Sequence, residues 1–234
     1  MTRIRALGLA LVAVASSAAG IVGGNWWAMR HTPANHHSIR LLAISSQAPQ
    51  YPRGYTALFG DSLIEQSYLP TLCGSPTFNV GIGGDSLDGV AQAVQAVLAR
   101  SNPRAALLEV GVNDAVRGNR VPVEQWRAKL TALLDSLKAA KVDVTVVGIV
   151  PARKDGSLAF EFDRLRALDD VLRETAAKRG LRFVDLNRDL SGSDGQMSAS
   201  NTVDGTHLTQ AGYKIWNRSV EENSCRLASA GIKK

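Results

Sequence analysis

Between residues 55 and 223, short apolar runs alternate with stretches whose apolar positions recur every three or four residues. The runs Tyr55–Phe59, Thr77–Val80, Ala105–Val110, Val142–Ile149 and Arg182–Leu186 predict strands. The stretches between and after them predict helices: Ser62 to about Leu69, Leu87–Arg100, Pro122–Ala140, Phe160–Arg179 and Thr209–Asn223. Pro122 suits a first helical turn, where its missing N–H costs nothing, and Gly180 suits the residue that stops a helix. Strands that are apolar throughout, rather than alternately, fit a sheet covered on both faces. Strand–helix alternation predicts parallel pairing through right-handed crossovers. The expected fold is α/β: a three-layer α/β/α sandwich, flavodoxin-like, on a five-stranded parallel sheet. Sites in such sheets form beyond the carboxyl ends of the strands. Here those ends carry Gly60-Asp61-Ser62, Gly81–Asp85, Gly111–Asp114 and Pro151–Gly156.

Two regions precede the alternation. Arg3 and Arg5 are followed by Ala6–Gly24, 19 residues without a charge. That pattern directs export, with the positive end kept in the cytoplasm. Ser17-Ala18-Ala19 offers a cleavage site. The length of the stretch, with Trp26, Trp27 and Arg30 behind it, fits an uncleaved anchor instead. Both outcomes stay open, with the anchor favoured. Residues 1–30 are thus expected to be a signal peptide or signal anchor that passes through or inserts in the membrane. The remainder would then lie on the periplasmic or extracellular side. Residues 31–54, rich in Pro, Ser, Asn and His and without a sustained period, read as a linker, and residues 55–234 as the domain. His36 and His37 have no neighbouring Cys or acid, so a solvated pair fits them better than metal ligation.

Composition narrows the partners. A chain of 234 residues has room for one sizeable domain, and 45% hydrophobic with 21% charged residues is ordinary globular usage. The net charge of +6 suggests a nucleic-acid partner until it is located. Residues 1–40 hold Arg3, Arg5, Arg30 and Arg40 and no acid, which leaves 23 basic against 21 acidic residues from position 41 onward. No basic tract is interleaved with aromatics, so no nucleic-acid partner is expected. Cys73 and Cys225 are the only cysteines, and in an exported chain an even pair reads as a disulfide.

The strand-end loops hold the chemistry. In Gly60-Asp61-Ser62-Leu63 a hydroxyl stands at a strand-to-helix turn, either as a helix cap or as a nucleophile whose own N–H faces a developing oxyanion. The loop Asn79–Ser86 brings Gly81, Gly83 and Gly84 to a strand end, where a glycine backbone can approach a ligand, but it lacks the dinucleotide spacing. Asp85 or Ser86 suits the cap of the next helix. Asn113 offers either a neutral oxyanion donor or an Asx turn. In Asp204-Gly205-Thr206-His207, a carboxylate three residues before an imidazole can fix its tautomer, and Thr209 suits the cap of the last helix. His207 is the single histidine of the expected domain.

Together these residues resemble the SGNH (GDSL-type) hydrolase family: Gly60-Asp61-Ser62-Leu63 for the first block, Gly84 in the second, Asn113 in Gly-x-Asn-Asp, and Asp204-x-x-His207 in the last. The four blocks stand in order over about residues 55–222, and the Gly-x-Ser-x-Gly pentapeptide of α/β-hydrolases is absent. The resemblance implies a catalytic triad of Ser62, His207 and Asp204. It also implies an oxyanion hole of the Ser62 N–H, the Gly84 N–H and the Asn113 amide, with no metal or organic cofactor. Asp61 and Asp114 belong to the blocks and read as orienters of their loops. The expected function is a serine ester hydrolase, an acyl or acetyl esterase or a lipase-like enzyme, acting on a small-molecule, glycan or lipid ester outside the cytoplasm. Its alternatives are an O-acyltransferase on envelope glycans and a non-catalytic glycan- or lipid-binding module of the same fold. The loops Pro151–Leu158 and Ser191–Thr202 flank the expected site and are placed to shape its pocket.

Overall fold

The computed structural model describes residues 33–118 and 121–225. The chain divides into two compact units, Met1–Ile39 and Arg40–Lys234. Of the first, residues 33–39 are described, and they open helix α1 (Pro33–Gln47). The leader expected over residues 1–30 lies outside the described residues. Among the described residues no helix is long and apolar enough to cross a membrane.

The second unit carries the sheet. Its elements are β1 (Thr56–Gly60), α2 (Ser62–Glu65), β2 (Thr71–Leu72), β3 (Ser75–Gly81), α3 (Leu87–Leu98) and β4 (Ala105–Glu109). They continue with α4 (Val123–Ala139), β5 (Asp143–Val147), α5 (Phe162–Arg179), β6 (Arg182–Val184), α6 (Leu186–Leu190) and α7 (Gln210–Cys225). The strand order is β2-β3-β1-β4-β5-β6. The five expected strands pair in parallel, in the flavodoxin-like order. The difference is β2, a two-residue strand antiparallel to β3 through Thr71↔Pro76 and Leu72↔Ser75. Its hairpin turn is Cys73-Gly74, both at positive φ (50° and 74°), as a two-residue turn between right-twisted strands requires.

The apolar strands sit between helical layers as their composition demands. β1 is buried along its whole length, and Leu107, Leu108, Val146 and Val147 of the neighbouring strands are at most 1% exposed. Helices α3, α4 and α5 pack side by side, while α7 touches both β6 and β2 and so crosses the other face. Helix α5 ends at Gly180 in the left-handed conformation, and Thr209 caps α7 by accepting the Gly212 N–H at 3.1 Å.

The linker expected over residues 31–54 is corrected from Pro33 onward. Leu41, Ile44 and Ala48 recur at helical spacing, Leu41 packs against the core, and Ile44 and Ala48 are fully buried. The exposed Leu42 breaks the period within the apolar run Leu41–Ile44, and Ser, Gln and Pro follow, which hid the stripe. The second unit begins at Arg40, before the expected boundary at residue 55.

Cys73 and Cys225 are bonded, fastening the β2–β3 turn to the last residue of α7 across 152 positions of chain. On the chain-entropy account a closed loop of that size stabilises by about 3–5 kcal/mol. Reduction, or Cys73→Ser, is expected to lower Tm by roughly 6–20 °C for a domain of this size. An unchanged melting curve in reductant would contradict that role for the bridge.

Candidate active site

The register aligns the carboxyl ends of the parallel strands: Gly60 opposite Gly81, Glu109 opposite Val147, and Val147 opposite Val184. The loops beyond Gly60, Gly81 and Glu109 therefore emerge side by side. They are also tied to one another. Ile82 N–H donates to Gly60 O at 3.0 Å, Asn113 Nδ2 donates to Asp85 O at 3.0 Å, and Leu87 N–H donates to Asp114 Oδ2 at 2.9 Å. Asp114 thus caps α3 from another loop. Ser86, at the start of α3, makes no side-chain cap bond.

Ser62 opens α2, but the cap of that helix is Asp61, whose Oδ1 accepts the Leu63 N–H at 2.9 Å. The Ser62 hydroxyl is left for another partner, and it meets His207 Nε2 at 2.9 Å. On the far side of the ring, His207 Nδ1 lies 2.7 Å from Asp204 Oδ2. A carboxylate only accepts, so the ring proton sits on Nδ1 and Nε2 accepts from the serine. Asp204 Oδ1 accepts the Thr206 and His207 N–H groups at 3.0 and 2.8 Å, which locks the carboxylate to the loop it orients.

That loop is braced on several sides. Thr202 Oγ1 donates to His207 O at 2.8 Å and accepts the Gly205 N–H at 2.9 Å. Arg153 N–H donates to Gly205 O and Ser157 N–H to Asp204 O, at 2.9 and 2.8 Å. Gly205 stands at φ +98°, and a Cβ there would lie 2.5 Å from Gly156 Cα, so the two backbones pass too closely for a side chain. From α7, Tyr213 Oη donates to Leu63 O at 2.8 Å, joining the helix that follows His207 to the helix that carries Ser62.

Gly84 is exposed at φ +82°, with open space where a Cβ would stand. Among the described residues neither the Ser62 N–H nor the Gly84 N–H is hydrogen-bonded to a protein acceptor. The Asn113 amide keeps one N–H beyond its bond to Asp85. The structure therefore brings Ser62, His207 and Asp204 into one hydrogen-bonded chain and sets Gly84 and Asn113 in the adjoining loops. A cleft of about 440 Å³ beside Asp204 is lined by Arg153, Asp155, Ser157, Thr202 and Val203, and neither Ser62 nor His207 lines it.

Buried acids lie beneath the serine. Burial pushes Asp61 up to about 7, with the Leu63 N–H and His207 opposing the shift and Asp114 and Asp85 adding to it. Burial, reinforced by Asp61, also pushes Glu109 well up, although Trp216 Nε1–H donates to its Oε2 at 3.2 Å. Asp204 goes the other way. Burial would raise it, but the ring of His207 and the two loop N–H groups outweigh that and hold it at about 2. An unfolded carboxyl titrates near ~4, so the stability Asp204 contributes is present above that pH and lost as pH falls toward 2. Asp61 has the opposite sign: its stability is present at low pH and lost as pH rises through about 7. Asp61→Asn keeps an acceptor for Leu63 and removes the titration. It is expected to flatten the fall in Tm between about pH 4 and 7. Equal slopes in variant and wild type would refute this.

Sequence reasoning missed Arg40, Glu65, Arg153 and Tyr213. Arg40 Nε donates to Gly81 O at 3.0 Å, and Glu65 Oε2 accepts the Gly83 N–H at 2.5 Å. Each bonds to backbone far away in the sequence, and such contacts leave no motif.

Comparison with known proteins bears on the fold and the family. Among solved structures, a Streptococcus pneumonia protein provisionally assigned as a platelet activating factor superposes with a TM-score of 0.72 at 22% identity, covering 88% of this chain and 98% of its own. A lipase/acylhydrolase from Enterococcus faecalis gives 0.62 at 21% identity, covering 74% and 96%. An acetyl xylan esterase gives 0.61 at 18% identity, covering 76% and 100%. At these identities the likeness is one of fold. A comparison with curated proteins gives no match. The model of the GDSL-like Lipase/Acylhydrolase family matches residues 43–215, a span that contains every strand and all five positions gathered at the strand ends, and the chain belongs to that family.

Proposed function

We propose that the protein is a serine ester hydrolase in which Ser62 attacks the ester carbonyl, His207 takes and returns the proton, and Asp204 orients the ring. The observation that carries this reading is the 2.9 Å contact between Ser62 Oγ and His207 Nε2, made by a hydroxyl that another residue has relieved of capping. As Oγ bonds to the carbonyl carbon, its proton passes to Nε2, and the imidazolium is stabilised by Asp204. The carbonyl oxygen gains charge against the N–H groups of Ser62 and Gly84 and the Asn113 amide, which bind the tetrahedral species more strongly than the flat ester. His207 then protonates the departing alcohol, and water repeats the sequence on the acyl-serine.

The charged Arg153 and Asp155 in the cleft beside Asp204 support a polar alcohol part of the substrate, and we take the acyl group to be small. The bonded cysteine pair supports work outside the cytoplasm, where disulfides persist, with residues 6–24 as the export signal or anchor. A series of p-nitrophenyl acetate, butyrate and dodecanoate tests both parts of the reading. kcat/KM is expected to fall as the acyl chain lengthens. A preference for dodecanoate would remove the small-acyl assignment, and turnover independent of Ser62 would remove the mechanism.

A further inference from the structure

We infer that Glu65 is a positioning residue for the oxyanion site, holding the turn that aims the Gly84 N–H; the inference rests on the proposed role of that N–H. The loop Ile82-Gly83-Gly84-Asp85 is a β-turn closed by Asp85 N–H to Ile82 O at 3.1 Å, and Gly84 at φ +82° makes it type II. Types I and II differ by a flip of the middle peptide, here the one joining Gly83 to Gly84. The flip would place the Gly83 carbonyl where the Gly84 N–H stands, turning a donor into an acceptor that repels an oxyanion. Two glycines in succession leave both forms open to the chain. Both forms share the φ of Gly83, so the point from which the middle peptide projects is set by what holds the peptide before it.

Glu65 supplies that grip. Its Oε2 accepts the Gly83 N–H at 2.5 Å, while the carbonyl of the same peptide, that of Ile82, accepts from Asp85. Both ends of the peptide entering the turn are held, one of them by a charge-assisted bond. A carboxylate this near an oxyanion would oppose the reaction if its charge were unbalanced. Arg40 Nε lies 3.6 Å from Glu65 Oε1, both side chains being about one-quarter exposed. The same guanidinium donates to Gly81 O at 3.0 Å and Asn79 O at 3.1 Å, fastening the end of β3 where the loop begins. Arg40 thus neutralises the clamp and anchors its base. Neither residue touches substrate; both act through the backbone of the 82–85 turn.

The test compares Glu65→Ala, Glu65→Gln and Glu65→Asp by kcat and KM on p-nitrophenyl acetate. It adds the affinity of a trifluoromethyl ketone, whose adduct carries a negative oxygen in the site. Glu65→Ala is expected to lower kcat by about 10–100-fold with KM within about twofold, and to weaken the ketone by the same factor as kcat. Glu65→Gln keeps an acceptor oxygen and is expected to stay within about threefold of wild type. A folded Glu65→Ala with wild-type kcat, or equal damage from Ala and Gln, overturns the inference. If Glu65→Ala does not fold, Glu65→Asp decides. It retains the charge but draws the acceptor back from Gly83, so a tenfold or greater loss of kcat is expected on the order of a displaced donor, and unchanged kcat overturns the inference. Ser62→Ala is measured alongside. Wild-type turnover that survives it defeats the parent mechanism and this inference together, whereas Ser62-dependent turnover indifferent to Glu65 defeats this inference alone.

Discussion

Ser62→Ala is expected to lower ester hydrolysis by a factor on the order of 10⁵–10⁶ while leaving Tm within about 1 °C of wild type. The two halves of that expectation come from one local arrangement. The hydroxyl makes a side-chain bond to His207, and the capping bond of α2 belongs to Asp61, so truncation removes the nucleophile without unpairing the helix start. A serine serving as cap would instead cost about 1 kcal/mol on truncation and leave turnover alone. The remaining rate should come from the oxyanion donors and substrate binding, and adding His207→Ala should lower it little further, because residues that act as one unit are not additive. Activity in Ser62→Ala within tenfold of wild type would end the mechanism. A large loss of Tm would show that the hydroxyl has a structural duty the geometry does not reveal.

Asp204→Asn should cost on the order of 10⁴-fold in kcat, although the side chain is nearly the same size. An asparagine oxygen at the Oδ1 position still accepts from Thr206 and His207, so the loop keeps its shape. At the Oδ2 position the variant presents an N–H to His207 Nδ1. The ring must then give up its Nδ1 proton and carry one on Nε2, where it faces the Ser62 hydroxyl as a donor and accepts nothing. The acid-range loss of stability assigned to Asp204 should vanish in the same variant, since an amide does not titrate. Melting curves from about pH 2 to 5 check that second effect independently of kinetics. Retention of most activity would show that His207 holds its tautomer without the carboxylate.

What the sequence made legible follows from the range of each interaction. The five parallel strands announce themselves as apolar runs because a strand covered on both faces has no polar alternation to blur it. Strand β2 does not, because two residues are too few for any period. Helix α1 was obscured by composition: the run Leu41–Ile44 has no helical period because Leu42 is exposed beside the buried Ile44, and the turn before it is Asn, His and Ser. At the site, Ser62, Gly84, Asn113 and the Asp204–His207 pair are legible because each sits in a short block whose spacing reflects a local turn. The cap of α2 was harder, since an assignment shifted by one residue exchanges the roles of Asp61 and Ser62. Glu65 and Arg40 were illegible. They pair with each other across 25 positions and with main-chain groups of residues 79–83, which any sequence supplies equally.

The order of the chain also governs when the site exists. Ser62 lies on the first strand-end loop to emerge during synthesis, whereas His207 stands 145 positions later, just before the helix that Cys225 fastens. On the proposed mechanism, a chain still on the ribosome holds the attacking group without its base, and competence would arrive only once the C-terminal helix has docked.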